Sequence, residues 1–162
     1  GVDACREAVR IPVLGSGEAA MSLASAIGRK ISIVTILPNI VPMLRKQNMD
    51  YSISGKLVSI RNANIPVTGI GDGSDEILEK LFRESIKCVV EDGADVIVLG
   101  CTGFAGFAEK ISSKLSEKGY IVPVIDPAAA SLKMIEALVA CNVKNSNISY
   151  MKPIDKVIKL TK

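Results

Sequence analysis

Two short stretches constrain this chain more than any others: residues 31–36 (ISIVTI) and 96–99 (VIVL) contain no charged side chain and are dominated by Ile and Val. A run of that length without charge, rich in β-branched residues and without strict alternation, suits a strand covered on both faces. Helical segments precede both runs, over residues 18–27 and 75–91, and each is followed by a glycine, Gly28 and Gly93, the usual residue just past a helix. Strand and helix alternating in this way predict right-handed βαβ units around a parallel sheet, an α/β three-layer sandwich. The core has to be aliphatic, because the sequence is 48% hydrophobic but only 4% aromatic and has no Trp. Ile, Val, Leu, Ala and Met are what helices packed on a parallel sheet use.

The remaining elements follow from the same signals. A helix is expected over residues 2–9, a short strand over 11–14, and a turn at Gly15, Ser16 and Gly17. Pro38 opens a helix to about residue 47, residues 56–60 form a strand, and 62–74 a loop rich in Gly, Asn and Pro. Ile77, Leu78, Leu81, Phe82, Cys88 and Val89 fall on the inner side of the helix over 75–91; Phe104, Phe107, Ala108, Ile111 and Leu115 line one face of the next. A strand over 121–125 leads to Asp126-Pro127, a cap for a helix lasting to about residue 140. The first element is a helix with no strand before it, so residues 1–28 read as the end of an earlier domain. Residues 29–126 read as a whole domain, and 127–162 as a helix and tail packing back on the earlier one.

The charge balance, 20 Lys and Arg against 17 Asp and Glu for a net +3, is spread along the chain. Nucleic acid is therefore not indicated, and the lysines from Lys152 to Lys162 read as a solvated terminal segment. Cysteines 5, 88, 101 and 141 share no CxxC spacing and there is no His, so a structural zinc site is not expected. Nothing reads as a cleaved signal peptide or a membrane helix, which points to a cytoplasmic chain with free thiols.

In open parallel sheets ligands bind beyond the carboxyl ends of the strands. Those ends carry Thr35-Ile36-Leu37-Pro38 and Gly100-Cys101-Thr102-Gly103. Cys101 lies where a strand becomes a helix, among unpaired amides and at the positive end of a helix dipole, a setting that favours a thiolate. The plain alternative is a small residue in a tight turn. Gly100 and Gly103 permit close backbone approach to a ligand, and the Thr102 and Gly103 amides are candidates to receive an oxyanion. The glycine spacing is not the dinucleotide fingerprint. Cys5, Cys88 and Cys141 fall in helices as packing residues, Asp126 reads as an N-cap more simply than as an acid or base, and the Gly15–Gly17 turn lacks the basic residue of a phosphate loop.

Four segments, IPVLGSGEAA (11–20), IVTILP (33–38), VIVLGCTG (96–103) and VPVIDP (122–127), occur in the order found in the hydantoin racemases. Across nearly its whole length the chain resembles that branch of the aspartate/glutamate/hydantoin racemase superfamily. The resemblance implies two similar α/β domains facing across a cleft, one cysteine from each, with one thiolate removing a proton from the substrate's stereogenic carbon and the opposite thiol returning one to the other face. It implies no metal, pyridoxal phosphate or nicotinamide. It places Cys101 as the second-domain cysteine, Thr102 and Gly103 as the donors beside it, and Thr35, Ile36 and Leu37 as the turn contacting substrate. Members often have a second Thr where this chain has Ile36, which bears on substrate identity. The first cysteine of the pattern is expected a few residues before Gly1, so the sequence reads as N-terminally truncated, and as inactive by itself.

The function expected is thus a cofactor-independent racemase acting on a 5-substituted hydantoin or related small molecule, in an enzyme that is commonly oligomeric in this family. The alternatives are an amino-acid racemase, a related decarboxylase or isomerase, or a noncatalytic α/β domain that binds a small molecule.

Overall fold

A computed structural model of the chain describes residues 1–51, 53–70 and 74–153. Its element order is α1 (Val2–Ala8), α2 (Ser16–Ile27), β1 (Ile31–Thr35), α3 (Val41–Asp50), β2 (Leu57–Asn62), α4 (Asp75–Val90), β3 (Val96–Leu99), α5 (Phe107–Glu117), β4 (Val124–Ile125) and α6 (Pro127–Ala140). Short 3-10 turns at Pro38–Ile40 and Thr102–Phe104 follow β1 and β3. The four strands form one parallel sheet in the order β2-β1-β3-β4. The two uncharged runs are therefore its centre, and every residue of β1 and β3 is buried. The expected solvated tail lies largely outside the described residues, as does part of the glycine-rich loop before Ser74.

Alternate residues of the central strands feed two cores. Val34, Ile36, Ile97 and Leu99 pack with Ile77, Leu81 and Cys88 of α4 and Ile111 and Leu115 of α5. Ile31, Ile33, Val96 and Val98 pack with Ala19, Ala20, Met21 and Ala24 of α2, Leu44 of α3 and Ala130 of α6. This is the three-layer α/β sandwich. The small side chains of α2 let it lie against both β3 and α6. A Cβ at Gly28 would stand 2.3 Å from Val96 Cγ2, so only glycine lets the chain turn from α2 into β1 at that distance.

The structure departs from the sequence reading at two expected strands, and the helix expected over 38–47 is a 3-10 turn followed by α3, Val41–Asp50. Residues 11–14 belong to no strand of the sheet. They are held by side chains instead: Arg6 Nε donates to Val13 O, Val13 N to Asn145 Oδ1, and Asn145 Nδ2 to Ile11 O. The expected strand over 121–125 shrinks to Val124–Ile125; Ile121 is exposed, and Pro123 contributes its carbonyl to Ile97 N but has no amide to donate. Among the described residues, no helix is long and apolar enough to cross a membrane.

Candidate functional site

The parallel register pairs Val34 with Leu99, so β1 and β3 end side by side and Thr35 comes next to Gly100. Gly100 N donates to Val34 O at 2.7 Å. A Cβ at Gly100 would lie 2.9 Å from both Thr35 Cβ and Ile33 Cγ2, which is why a glycine ends this strand. The chain then remains extended through Cys101 (φ −148°, ψ 131°) and coils into the 3-10 turn at Thr102–Phe104, for which Cys101 is the N-terminal flanking residue. Phe104, fully buried, anchors that turn in the core.

Cys101 is half-buried, while Thr102 and Gly103 are exposed. A Cβ at Gly103 would sit 3.4 Å from Cys101 Sγ and 3.2 Å from Ile70 Cγ2, so glycine keeps the flank of the sulfur open. The first amides of a helical turn have no acceptor within it, and they favour negative charge. Thr102 and Gly103 are the first two residues of this turn. By contrast Cys88, inside α4, is fully buried, and that burial pushes its thiol up to about 11. Cys5 and Cys141 are exposed.

The other residues singled out in the sequence divide. Thr35 is fully buried, Ile36 sits in the core facing α4, and Leu37 is partly buried. Their carbonyls accept from Ala63, Ile65 and Ile40 respectively, so this turn is braced by the chain itself. Asp126 caps α6: Oδ1 accepts from Ala128 N and Ala129 N, and Oδ2 from Gly106 N. One carboxylate thus fastens the beginnings of both α5 and α6. At the Gly15–Gly17 turn the nearest anion is the protein's own, since Glu18 Oε2 accepts from Gly15 N and from Arg6. Among the described residues, no group of three or more Cys, Asp or Glu is arranged to hold a metal.

A cavity of about 50 Å³ opens at this corner, lined by Ser16 and Gly17 of α2, Leu44, Gln47 and Asn48 of α3, Tyr51, Gly100, Cys101, Thr102 and Pro127. Gly17 admits the Tyr51 ring, whose Oη lies 3.5 Å from where a Cβ would be. Burial, reinforced by Glu18, raises the Tyr51 phenol above its ordinary value. A larger polar cavity of about 630 Å³, which Cys101 does not line, shares Gln47 and Tyr51 and is bordered by Arg6, Glu18 and Tyr150. A helix ending at about Gln47 leaves Asn48 and Tyr51 out of the sequence reading, whereas α3 runs on to Asp50. Leu44, Asn48 and Tyr51, spaced i, i+4 and i+7, were the available signal.

The family model for Asp/Glu/Hydantoin racemase matches residues 1–135. The hydantoin racemase of Paenarthrobacter aurescens is 38% identical over 157 residues, 96% of this chain and 64% of that protein. That of Pseudomonas sp. (strain NS671) is 33% identical over 96% of this chain and 61% of its own length. Among solved structures, an allantoin racemase from Klebsiella pneumoniae superposes with TM-score 0.89 at 34% identity, covering 98% of this chain and 63% of that one. An allantoin racemase from Pseudomonas fluorescens gives 0.90 at 30% identity, covering 98% and 66%. The chain thus spans a little under two thirds of the length of these relatives, with the strand-turn-helix corner at Cys101 inside the matched region. It belongs to the Asp/Glu/hydantoin racemase family.

Proposed function

We propose that this chain supplies the Cys101 half of a cofactor-independent racemase acting on a 5-substituted hydantoin or a related ureide. The observation that carries the reading is the corner itself: a half-buried thiol follows a central strand, beside the exposed residues Thr102 and Gly103, and the glycine leaves its flank open. The names of the relatives support the substrate class. Cys101 takes a proton from, or returns one to, one face of the stereogenic carbon, while a second thiol from outside these residues serves the other face. The Thr102 and Gly103 amides receive the negative charge that develops on the adjacent carbonyl oxygen as the carbon loses its proton. Thr35, Ile36 and Leu37 shape the opposite wall, through the backbone and by packing. The four unpaired thiols fit a reducing compartment.

The test is Cys101→Ser in the full-length polypeptide. A serine hydroxyl is nearly isosteric but too weakly acidic to serve, so racemisation should fall by at least about a thousandfold. The fold should survive. In deuterated water the remaining thiol should still exchange the α-hydrogen of one enantiomer, with retention, and leave the other unlabelled. A folded variant that racemises at the wild-type rate refutes the role assigned to Cys101.

A further inference from the structure

Asn48 is 2% exposed, and its side chain is only half engaged: Nδ2 donates to Leu44 O at 2.8 Å, while Oδ1 has no partner. It borders the same small cavity as Cys101. Thr35 Oγ1, also buried without a partner, is 3.1 Å from where a Cβ at Gly100 would stand. Two unsatisfied polar atoms therefore sit at the carboxyl ends of the central strands. Chains rarely leave buried polar atoms unpaired unless water or a ligand completes them. The cavity's volume of about 50 Å³ is too small for a hydantoin ring with its substituent but ample for water, which needs roughly 10–15 Å³ per molecule and two or more polar partners.

We propose that Asn48 is a positioning residue for Cys101, acting through ordered water in the cavity they share. The water donates to Asn48 Oδ1 and accepts from the backbone amide of Cys101 or Thr102, since that of Gly100 is given to Val34 O. It thus fastens α3 to the turn that carries the thiol, at the place where Gly100 has no side chain to do so. The functional importance of this fastening rests on the role proposed above for Cys101, but the water and the reactivity of the thiol are measurable without any substrate.

The experiment combines a crystal structure of the full-length protein with the pH profile of Cys101 alkylation by iodoacetamide, followed by peptide mass spectrometry. The structure should show water within hydrogen-bond reach of Asn48 Oδ1 and of the corner's backbone. Asn48→Leu puts an apolar side chain of similar size beside the cavity and removes the unpaired acceptor that would hold the water. It should fold, lose the water, and alkylate Cys101 at neutral pH roughly tenfold more slowly. Asn48→Ser, which leaves a hydroxyl and room for a further water, should restore most of the rate. A dry cavity in the wild-type structure overturns the proposal even if Asn48→Leu fails to fold. So does a folded Asn48→Leu with the wild-type alkylation profile. Neither outcome touches the racemase reading, which stands or falls on Cys101→Ser.

Discussion

The two ends of the parallel sheet are finished in opposite ways. At the amino end a set of polar groups is tied together: Asp95 accepts from the Arg29 and Lys30 amides, Lys30 O accepts from Asp95 N, and Lys56 Nζ reaches Ser25 O and Gly28 O. At the carboxyl end Thr35 Oγ1 and Asn48 Oδ1 lack partners, a cavity remains, and Thr102 and Gly103 stand exposed. A buried polar atom left unpaired costs about 1–3 kcal/mol, so the contrast has an energetic meaning. One end of this sheet is tied by hydrogen bonds, whereas the other leaves two buried polar atoms unpaired near a thiol.

The contrast is most open to attack at its glycines. Gly28→Ala should be the most damaging substitution, since the new methyl would stand 2.3 Å from Val96 Cγ2 and 2.6 Å from Asp95 Oδ1. Val96 is fully buried and branched, so it has nowhere to move. A loss of about 3 kcal/mol is expected in urea unfolding, at the upper end for overpacking. The alkylation rate of Cys101 in the protein that remains folded should be unchanged. A change there would mean that the two ends are mechanically coupled.

Gly100→Ala probes the other end with less steric force, its Cβ meeting Thr35 Cβ and Ile33 Cγ2 at 2.9 Å. A cost of about 1–3 kcal/mol is expected. Here Cys101 alkylation should change with stability, because the displaced backbone is the corner holding the sulfur. Equal effects of Gly28→Ala and Gly100→Ala on Cys101 would erase the distinction between the ends.

The gentlest perturbation is of charge. Arg61 on β2 donates to both oxygens of Asp92, just before β3, and to Glu91. The hydrogen bond from Arg61 is the main cause that holds the Asp92 carboxyl below its ordinary range. A depressed carboxyl contributes stability that is present above the unfolded-state value and lost as pH falls through the folded one. Arg61→Met should therefore cost about 2 kcal/mol near neutral pH, a typical value for hydrogen bonds to a charged group. The difference from wild type should shrink as the solution becomes strongly acidic, when both proteins have lost the ionised carboxylate. Thermal melts across pH decide this, and a difference independent of pH would assign the effect to the packing of the Arg61 stem.

The sequence alone determined what depends on local pattern. The uncharged runs at 31–36 and 96–99 were legible as central strands because burial on both faces leaves no tolerable place for a charge. The inner face of α4 and α5 could be read from helical spacing, and the Cys101 corner from a glycine-bounded turn behind a strand. Asp126 was legible as a cap, though its second oxygen, which accepts from Gly106 N twenty residues earlier, was not. Only the tertiary structure decided which elements meet. Strand order depends on partners distant in the chain, and it is the adjacency of β1 and β3 that sets Thr35 against Gly100. Residues 11–14 have a strand's composition but pair with no strand among the described residues; Arg6 and Asn145 take backbone groups there instead. Asn48 looked like any polar residue near a helix end, and only packing α3 across the sheet buried it. Periodicity is a property of a segment, whereas pairing and hydrogen-bond satisfaction are properties of the whole fold.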